Sequence, residues 1–330
     1  MKYIISVGEM LIDFIPDMQA LTGPEKKLCY YPHPGGAPAN VAVAIARLGG
    51  ASRFIGALSE DGFGQMLAAT LVKNHVDARY IQIVKDVPTT LAMVTLQANG
   101  ERQFSFYRTG ASDTQLKVEE LDWSAWHDAA ICLVESMAMS VDPARSTIFA
   151  IMQHTRQMGA LVSFDANIRL GLWSSHAAIQ QTISKVVERT DILKFSAEEA
   201  GFMDETSISP LERLAVPQLI ALGKRLLERG PRLVMITLDA QGALLLTPEC
   251  QVEVPAPPIR AIDTTGAGDA FMGAILYKLV QLEKTTPTAL QHLTEQDLRT
   301  IGTFANQVAG ITCTRLGGIA SLPFISEIKE

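Results

Sequence analysis

At 330 residues the chain is long enough to bury a large core as one domain or two. Hydrophobic residues make up 48% and charged residues 19%, which excludes a disordered polymer, and a formal net charge of −7 argues against a general nucleic-acid binder. No apolar run approaches the ~20 residues of a membrane span. The start, Met1 to Gly8, lacks a long apolar run followed by a small-residue cleavage site and reads as a buried strand. Cys29, Cys132, Cys250 and Cys313 form no Cys-x-x-Cys pair, and the six histidines show no His-Glu-x-x-His spacing. Reduced thiols in a cytoplasmic protein are expected, not a disulfide frame or a zinc site.

In chain order, the pattern predicts a strand at Tyr3–Val7, a helix at Ala39–Leu48, a strand at Arg53–Ala57 and a helix at Phe63–Asn74. A strand at Ile131–Val134 is followed by a helix at Pro143–Gln157, a strand at Leu161–Phe164 and a helix at Ile179–Glu188. Then come a strand at Ile192–Phe195, a helix at Gln218–Glu228, a strand at Leu233–Thr237, and helices at Ala270–Val280 and Thr303–Thr312. This alternation predicts an α/β fold with a mostly parallel central sheet and helices on both faces. Two regions break the rhythm. Residues 11–34 carry Pro, Gly and short alternating segments, and Leu91–Leu96 and Arg102–Tyr107 flank Asn99-Gly100, a strong hairpin signal. Together these pieces predict a small β-sheet lid, with an edge hairpin of no function as the other reading. A lid suits chemistry that must exclude water.

The segment Asp263-Thr264-Thr265-Gly266-Ala267-Gly268-Asp269 carries the most chemistry. Glycines before an apolar helix leave backbone N–H groups free for an anion, and the helix dipole favours one. Asp269 in the first turn suits a base that takes a proton from a hydroxyl while a phosphoryl group is held nearby. By itself the loop reads equally as an ordinary helix start with an acidic first-turn residue. It is neither a Rossmann fingerprint, because Phe271 stands where the third glycine belongs, nor a Walker loop.

Taken together, the motifs resemble those of the ribokinase-like (PfkB) carbohydrate kinases, and among them fructokinases most, over essentially the whole chain. Gly8-Glu9-Met10-Leu11-Ile12-Asp13 is similar to the first strand that ends in a sugar-binding aspartate, and Pro34-Gly35-Gly36-Ala37-Pro38-Ala39-Asn40 to the N-terminal signature. Asp263 to Asp269 is similar to the C-terminal signature. Asp165-Ala166-Asn167-Ile168-Arg169 resembles the Asp-Pro-Asn-Leu-Arg segment, with Ala166 in place of proline, and Lys194 to Glu199 resembles the Asn-x-x-Glu motif, with Ser196 in place of Asn. Thr237 to Gly242 resembles the nucleotide loop, although Asp239 replaces a glycine there; Phe304-Ala305-Asn306 and Thr314 to Gly318 resemble the adenine-side helix and a monovalent-cation loop.

The resemblance implies a single kinase domain over residues 1–330, with lid segments at about 11–34 and 88–110. Asp269 would be the base, its pKa held low by the helix end. Gly266, Ala267 and Gly268 would supply the anion-hole amides, and Arg169 a phosphate clamp. Asp13, Gly36, Asn40, Asn167 and Arg108 would meet the sugar, with Arg108 equally readable as lid support. Lys194, Ser196, Thr237, Gly242, Gly268 and Asn306 would hold ATP. Glu199 would act on Mg²⁺ through water, and Asp263 and Thr265 on K⁺. The expected activity is ATP-dependent phosphorylation of a primary sugar hydroxyl, D-fructose giving fructose 6-phosphate. Kinases for 2-keto-3-deoxygluconate, ribose or a nucleoside are same-fold alternatives, and a non-catalytic sugar or nucleotide sensor is one of another class. The expected partners are the small-molecule sugar and ATP, with no nucleic acid and no membrane, and a homodimer paired through the lid.

Overall fold

The computed structural model describes residues 2–17, 28–96, 102–204 and 213–329. Its strands are β1 (Tyr3–Val7), β2 (Leu11–Pro16), β3 (Tyr30–Gly35), β4 (Ser52–Ile55), β5 (Ala57–Ser59), β6 (Gln82–Val84) and β7 (Leu91–Leu96). They continue with β8 (Arg102–Tyr107), β9 (Ala129–Glu135), β10 (Leu161–Asp165), β11 (Ile192–Ser196), β12 (Leu233–Thr237), β13 (Ala243–Leu246) and β14 (Gln251–Val254). The long helices are α1 (Ala37–Arg47), α2 (Gly62–Lys73), α3 (Ala144–Gln157), α4 (His176–Val187), α5 (Val216–Leu227), α6 (Ala267–Gln281) and α7 (Glu295–Cys313).

The main sheet has eight strands in the order β14-β13-β12-β11-β10-β9-β1-β4. From β4 to β12 every pairing is parallel, while β13 and β14 run on as an antiparallel extension. Successive residues of the parallel strands point to opposite faces, and both faces are apolar. Ile4, Ile131, Leu133, Leu161, Leu233 and Met235 pack with α1, α6 and α7. Ile5, Cys132, Val134, Val162, Val234 and Ile236 pack with α3, α4 and α5. The helices on both faces that the alternation predicts are therefore present.

Three details differ from the sequence reading. The strand expected at Arg53–Ala57 breaks at Gly56 into β4 and β5. A Cβ on Gly56 would come within 2.5 Å of the Gly8 carbonyl, so the chain turns where only glycine fits. The last helix starts at Glu295, where Thr294 and Asp297 cap each other reciprocally (3.0 and 3.1 Å). The antiparallel pair β13 and β14 was not anticipated.

A second sheet has four strands in the order β3-β2-β7-β8. β7 and β8 pair antiparallel from Leu91↔Tyr107 to Leu96↔Arg102 as the hairpin signal requires, although Asn99-Gly100 itself lies outside the described residues. Leu11 and Ala92 of this sheet bury against Met137, with Phe104, Phe106 and Leu172 alongside. The small sheet therefore rests beside the C-terminal ends of β9 and β10, as a lid there requires. Among the described residues no helix is long and apolar enough to cross a membrane.

Candidate active site

Strand order reverses direction between β1 and β9, because the chain runs from β1 to β4 on one side and then to β9 on the other. In such sheets ligands bind outside the carboxyl ends of the strands at that switch point. Side chains of unusual character collect there. β9 ends in Glu135, β10 in Asp165, and Glu9 follows β1 after Gly8; all are buried. Lys194, in β11, donates to both oxygens of Asp165 at 3.0 and 2.7 Å.

The first turn of α6 closes this crevice. Its N-cap Gly266 takes the left-handed conformation (φ 80°), which costs glycine nothing. Gly266, Ala267 and Gly268 are half-buried, so the loop is open to a ligand. First-turn amides have no partner within their own helix. The Ala267 N–H is engaged in the turn, donating to Thr264 O at 3.2 Å. A Cβ on Gly268 would come within 3.1 Å of Lys194 Nζ, so the absent side chain is what lets an ammonium stand beside these amides. Asp269 is 9% exposed and accepts from Asn40 Nδ2 of α1 at 2.7 Å.

The expectation that the helix end holds Asp269 at a low pKa is corrected. Burial raises its carboxyl above the ordinary value, and the Asn40 hydrogen bond and the charges of Lys194 and Arg169 only partly offset this. Burial also pushes Glu9 up to about 7 and Asp165 up to about 6, the latter despite Lys194. Burial opposes the Lys194 ammonium, but Asp165, Glu199 and Asp269 outweigh it and the net shift is upward. The pair therefore stays ionic near neutrality.

The remaining predicted residues fall into three groups. Near the floor, Asn167 Nδ2 donates to Glu135 Oε2 (2.9 Å), and Ala166 N–H donates to Lys194 O (2.9 Å), a bond the proline of the related motif could not make. Glu199 accepts from the amides of Ile168 (2.6 Å) and Ser196 (2.8 Å), so both its oxygens are tied to backbone. Arg169 is exposed and makes a 3.5 Å contact to Ile168 O, with its charge felt at Asp269 and Glu9.

On the lid side, Gly36 has φ 101° and a Cβ there would meet Glu9 O at 2.7 Å. Asp13 lies in β2 opposite His33 of β3. Buried Arg108 bonds Asp113 (2.6 Å) and Ser140 (2.7 Å), while its Nη2 has no partner among the described residues. Thr90 also bonds Asp113, so one carboxylate anchors the roots of β7 and β8.

Further along the sheet edge, Thr237, Gly242 and Asn306 meet around Val254. Thr237 pairs with Ala243, a Cβ on Gly242 would strike Val254 O at 2.1 Å, and Asn306 Nδ2 donates to Val254 O (3.0 Å) and Pro255 O (3.2 Å). Asp239 holds φ 52°, the left-handed region a glycine would use, so its substitution keeps the turn. Asp263 accepts from the amides of Thr265 (2.9 Å) and Gly317 (2.8 Å), which ties the α6 loop to the loop after α7.

Residues 1–325 match the family model described as the pfkB family carbohydrate kinase. The chain belongs to that family. As a pfkB carbohydrate kinase it is a phosphotransferase acting on a sugar hydroxyl. It is 38% identical to Fructokinase-1 of Oryza sativa subsp. japonica over 329 residues, covering 100% of this chain and 97% of that relative. It superposes on the crystal structure of a fructokinase with bound ATP from Xylella fastidiosa with a TM-score of 0.88 at 31% identity, covering 98% of this chain and 96% of the other. A fructokinase from Vibrio cholerae O395, in a form with fructose, ADP and calcium ion bound, matches with a TM-score of 0.82 at 33% identity and the same coverage, 98% and 96%.

In this pfkB kinase the sequence reading missed Glu9, Glu135, Asp113 and Asp165 as members of the site. The signal for three of them was a lone acid closing or following an apolar run in a parallel sheet. The residues present fit a polar ligand with donors and acceptors. Among the described residues, Glu9 Oε2, Asn40 Oδ1 and Arg108 Nη2 are buried without a protein partner, a costly arrangement that bound hydroxyls would relieve. Among the described residues, no group of three or more His, Cys, Asp or Glu forms a ready metal cage.

Proposed function

We propose that this chain transfers the γ-phosphoryl group of ATP to the primary hydroxyl of D-fructose, giving fructose 6-phosphate. The observation that carries this reading is the buried Asp269 carboxylate in the first turn of α6, bonded to Asn40 and flanked by Gly266, Gly268 and Lys194. Asp13, Gly36, Asn40, Asn167 and Arg108 hold the sugar. The Gly266 and Gly268 amides, with Lys194 and Arg169, hold the moving phosphoryl group. Ser196, Thr237, Gly242 and Asn306 line the nucleotide. The acceptor oxygen attacks the γ-phosphorus as the bond to the β,γ-bridging oxygen breaks, and its proton passes to Asp269. The transition state is loose, so positioning and charge stabilisation provide most of the rate.

Glu199 would hold Mg²⁺, which would neutralise charge on the phosphates, and Asp263 and Thr265 would hold K⁺ beside the anion hole. The family membership and the fructose- and nucleotide-bound relatives support the substrates. One observation favours a second acceptor: the unpartnered Arg108 Nη2 suits the carboxylate of 2-keto-3-deoxygluconate. The deciding assay is coupled ADP release with fructose, ribose, 2-keto-3-deoxygluconate and adenosine, with and without K⁺. Fructose is expected to give the highest kcat/KM. Absence of ADP release with every acceptor rejects the kinase reading.

We also propose that residues 1–330 act as one kinase domain with 11–34 and 88–110 as its lid, and that two copies pair through it. β3 and β8 are the edges of the small sheet, and Tyr31 and Tyr107 on them are 57% and 65% exposed. Sedimentation is expected to give the mass of a dimer, and a concentration-independent monomer rejects the pairing. The four cysteines carry no disulfide, which supports a cytoplasmic location.

A further inference from the structure

Glu135 is fully buried, and the charged groups that act on it most strongly, Asp165, Glu9 and Asp269, are all acids. Glu9 stands on its β1 side, Asp165 lies opposite it in the β10 register, and Asp269 faces it from the first turn of α6. The cations nearby are engaged elsewhere, Lys194 on Asp165 and Arg108 on Asp113, and among the described residues no cation lies within ion-pair distance of Glu135. Among the described residues its one bonded neighbour is a neutral amide, Asn167 Nδ2 at 2.9 Å on Oε2, and Oε1 has no protein partner. A buried carboxylate without a cation among other carboxylates is too costly to ionise alongside them.

The same strand end holds Asn167 a second way. Ser136 Oγ donates to the Asn167 carbonyl at 3.3 Å. Asn167 has φ 34°, a left-handed conformation that a side chain disfavours and that its surroundings must impose. Just beyond it, the Ile168 amide is fixed on Glu199 and Arg169 follows. The end of β9 therefore holds Asn167, and Glu199 holds the residue after it.

Resting on the sugar-kinase reading above, we infer that Glu135 is a positioning residue that keeps its proton in the folded enzyme and, as a neutral carboxyl, orients Asn167 toward the sugar. Burial, then the charges of Asp165, Glu9 and Asp269, hold the Glu135 carboxyl well above its ordinary range, consistent with this state. In the unfolded chain the same carboxyl ionises normally. A raised folded value means that Glu135 favours the fold at low pH and that this contribution is lost as pH rises.

The test compares Glu135→Gln, Glu135→Ala and Asn167→Ala in the full chain, using ATP and the best acceptor found for the wild type. Glu135→Gln keeps a neutral side chain of the same shape. At neutral pH its sugar KM is expected to change far less than that of Glu135→Ala, and to stay flat at alkaline pH where the wild-type value climbs. Glu135→Ala is expected to raise sugar KM by about tenfold, the loss of one buried hydrogen bond, with kcat changed far less, and Asn167→Ala to match it. Urea unfolding needs no substrate and separates this inference from the kinase reading. Glu135→Gln is expected to gain stability over wild type by a margin that grows with pH. Glu135→Gln as damaged as Glu135→Ala overturns the neutral carboxyl, as does an unfolding difference independent of pH. Wild-type sugar KM in Glu135→Ala overturns the positioning role.

Discussion

The crevice at the sheet edge has two ends built in different ways. Around Asp269 the structure uses buried, opposed charges, Lys194 on Asp165 and Arg108 on Asp113, and Asp269 itself accepts from the Asn40 amide. Around Val254, where Thr237, Gly242 and Asn306 meet, it uses backbone pairing, a glycine with no room for a Cβ, and one neutral amide. The difference teaches a division of labour. Phosphoryl transfer needs strong fields in a dry place, and those cost stability unless each charge is matched. Holding a nucleotide needs shape, which backbone geometry provides cheaply.

The comparison breaks most visibly at Asp269. Asp269→Asn is expected to bind both substrates and lose about 10²–10⁴-fold in kcat, the usual cost of removing a general base. Steady-state kinetics with ligand titration checks this, and retained turnover removes Asp269 from the reaction. Because burial raises its carboxyl and only the ionised form accepts a proton, kcat/KM of the wild type should fall as pH drops through a value above the ordinary carboxylate range. Next in size is Lys194→Met, which leaves Asp165 buried and unpaired. A destabilisation of about 3–5 kcal/mol is expected from urea unfolding at neutral pH, lessening at low pH as Asp165 takes a proton. The smallest effect belongs to the other end. Asn306→Ala strands the Val254 and Pro255 carbonyls and is expected to cost about 1–3 kcal/mol in stability and raise ATP KM with kcat nearly unchanged. A fall in kcat comparable to that of Asp269→Asn would erase the distinction between the two ends.

Most of the main sheet was legible because each parallel strand is an apolar run followed by a helix with one apolar face. β13 and β14 escaped because each is only four residues long and they run antiparallel where the rhythm calls for a helix. The glycines at 266 and 268, Asp269 and Asn40 were legible as motifs, although their meeting across 229 positions of sequence was visible only in the fold. Glu9, Glu135 and Asp165 were not legible as a cluster, since each is one acid beside an unremarkable strand. Their strands' order in the sheet creates the crowding. The raised Asp269 carboxyl was missed for the same reason: position in a helix is local, whereas burial depends on α1 and β11 packing over it.

The central claim is that the first turn of α6 receives the migrating phosphoryl group beside an ionised Asp269. A crystal structure with fructose and a non-hydrolysable ATP analogue tests it most directly. The account predicts terminal phosphate oxygens about 3 Å from the Gly266 and Gly268 amides, and the acceptor hydroxyl about 3 Å from Asp269. A phosphate tail seated away from that turn, or an acceptor hydroxyl held by another side chain with Asp269 out of reach, would contradict it.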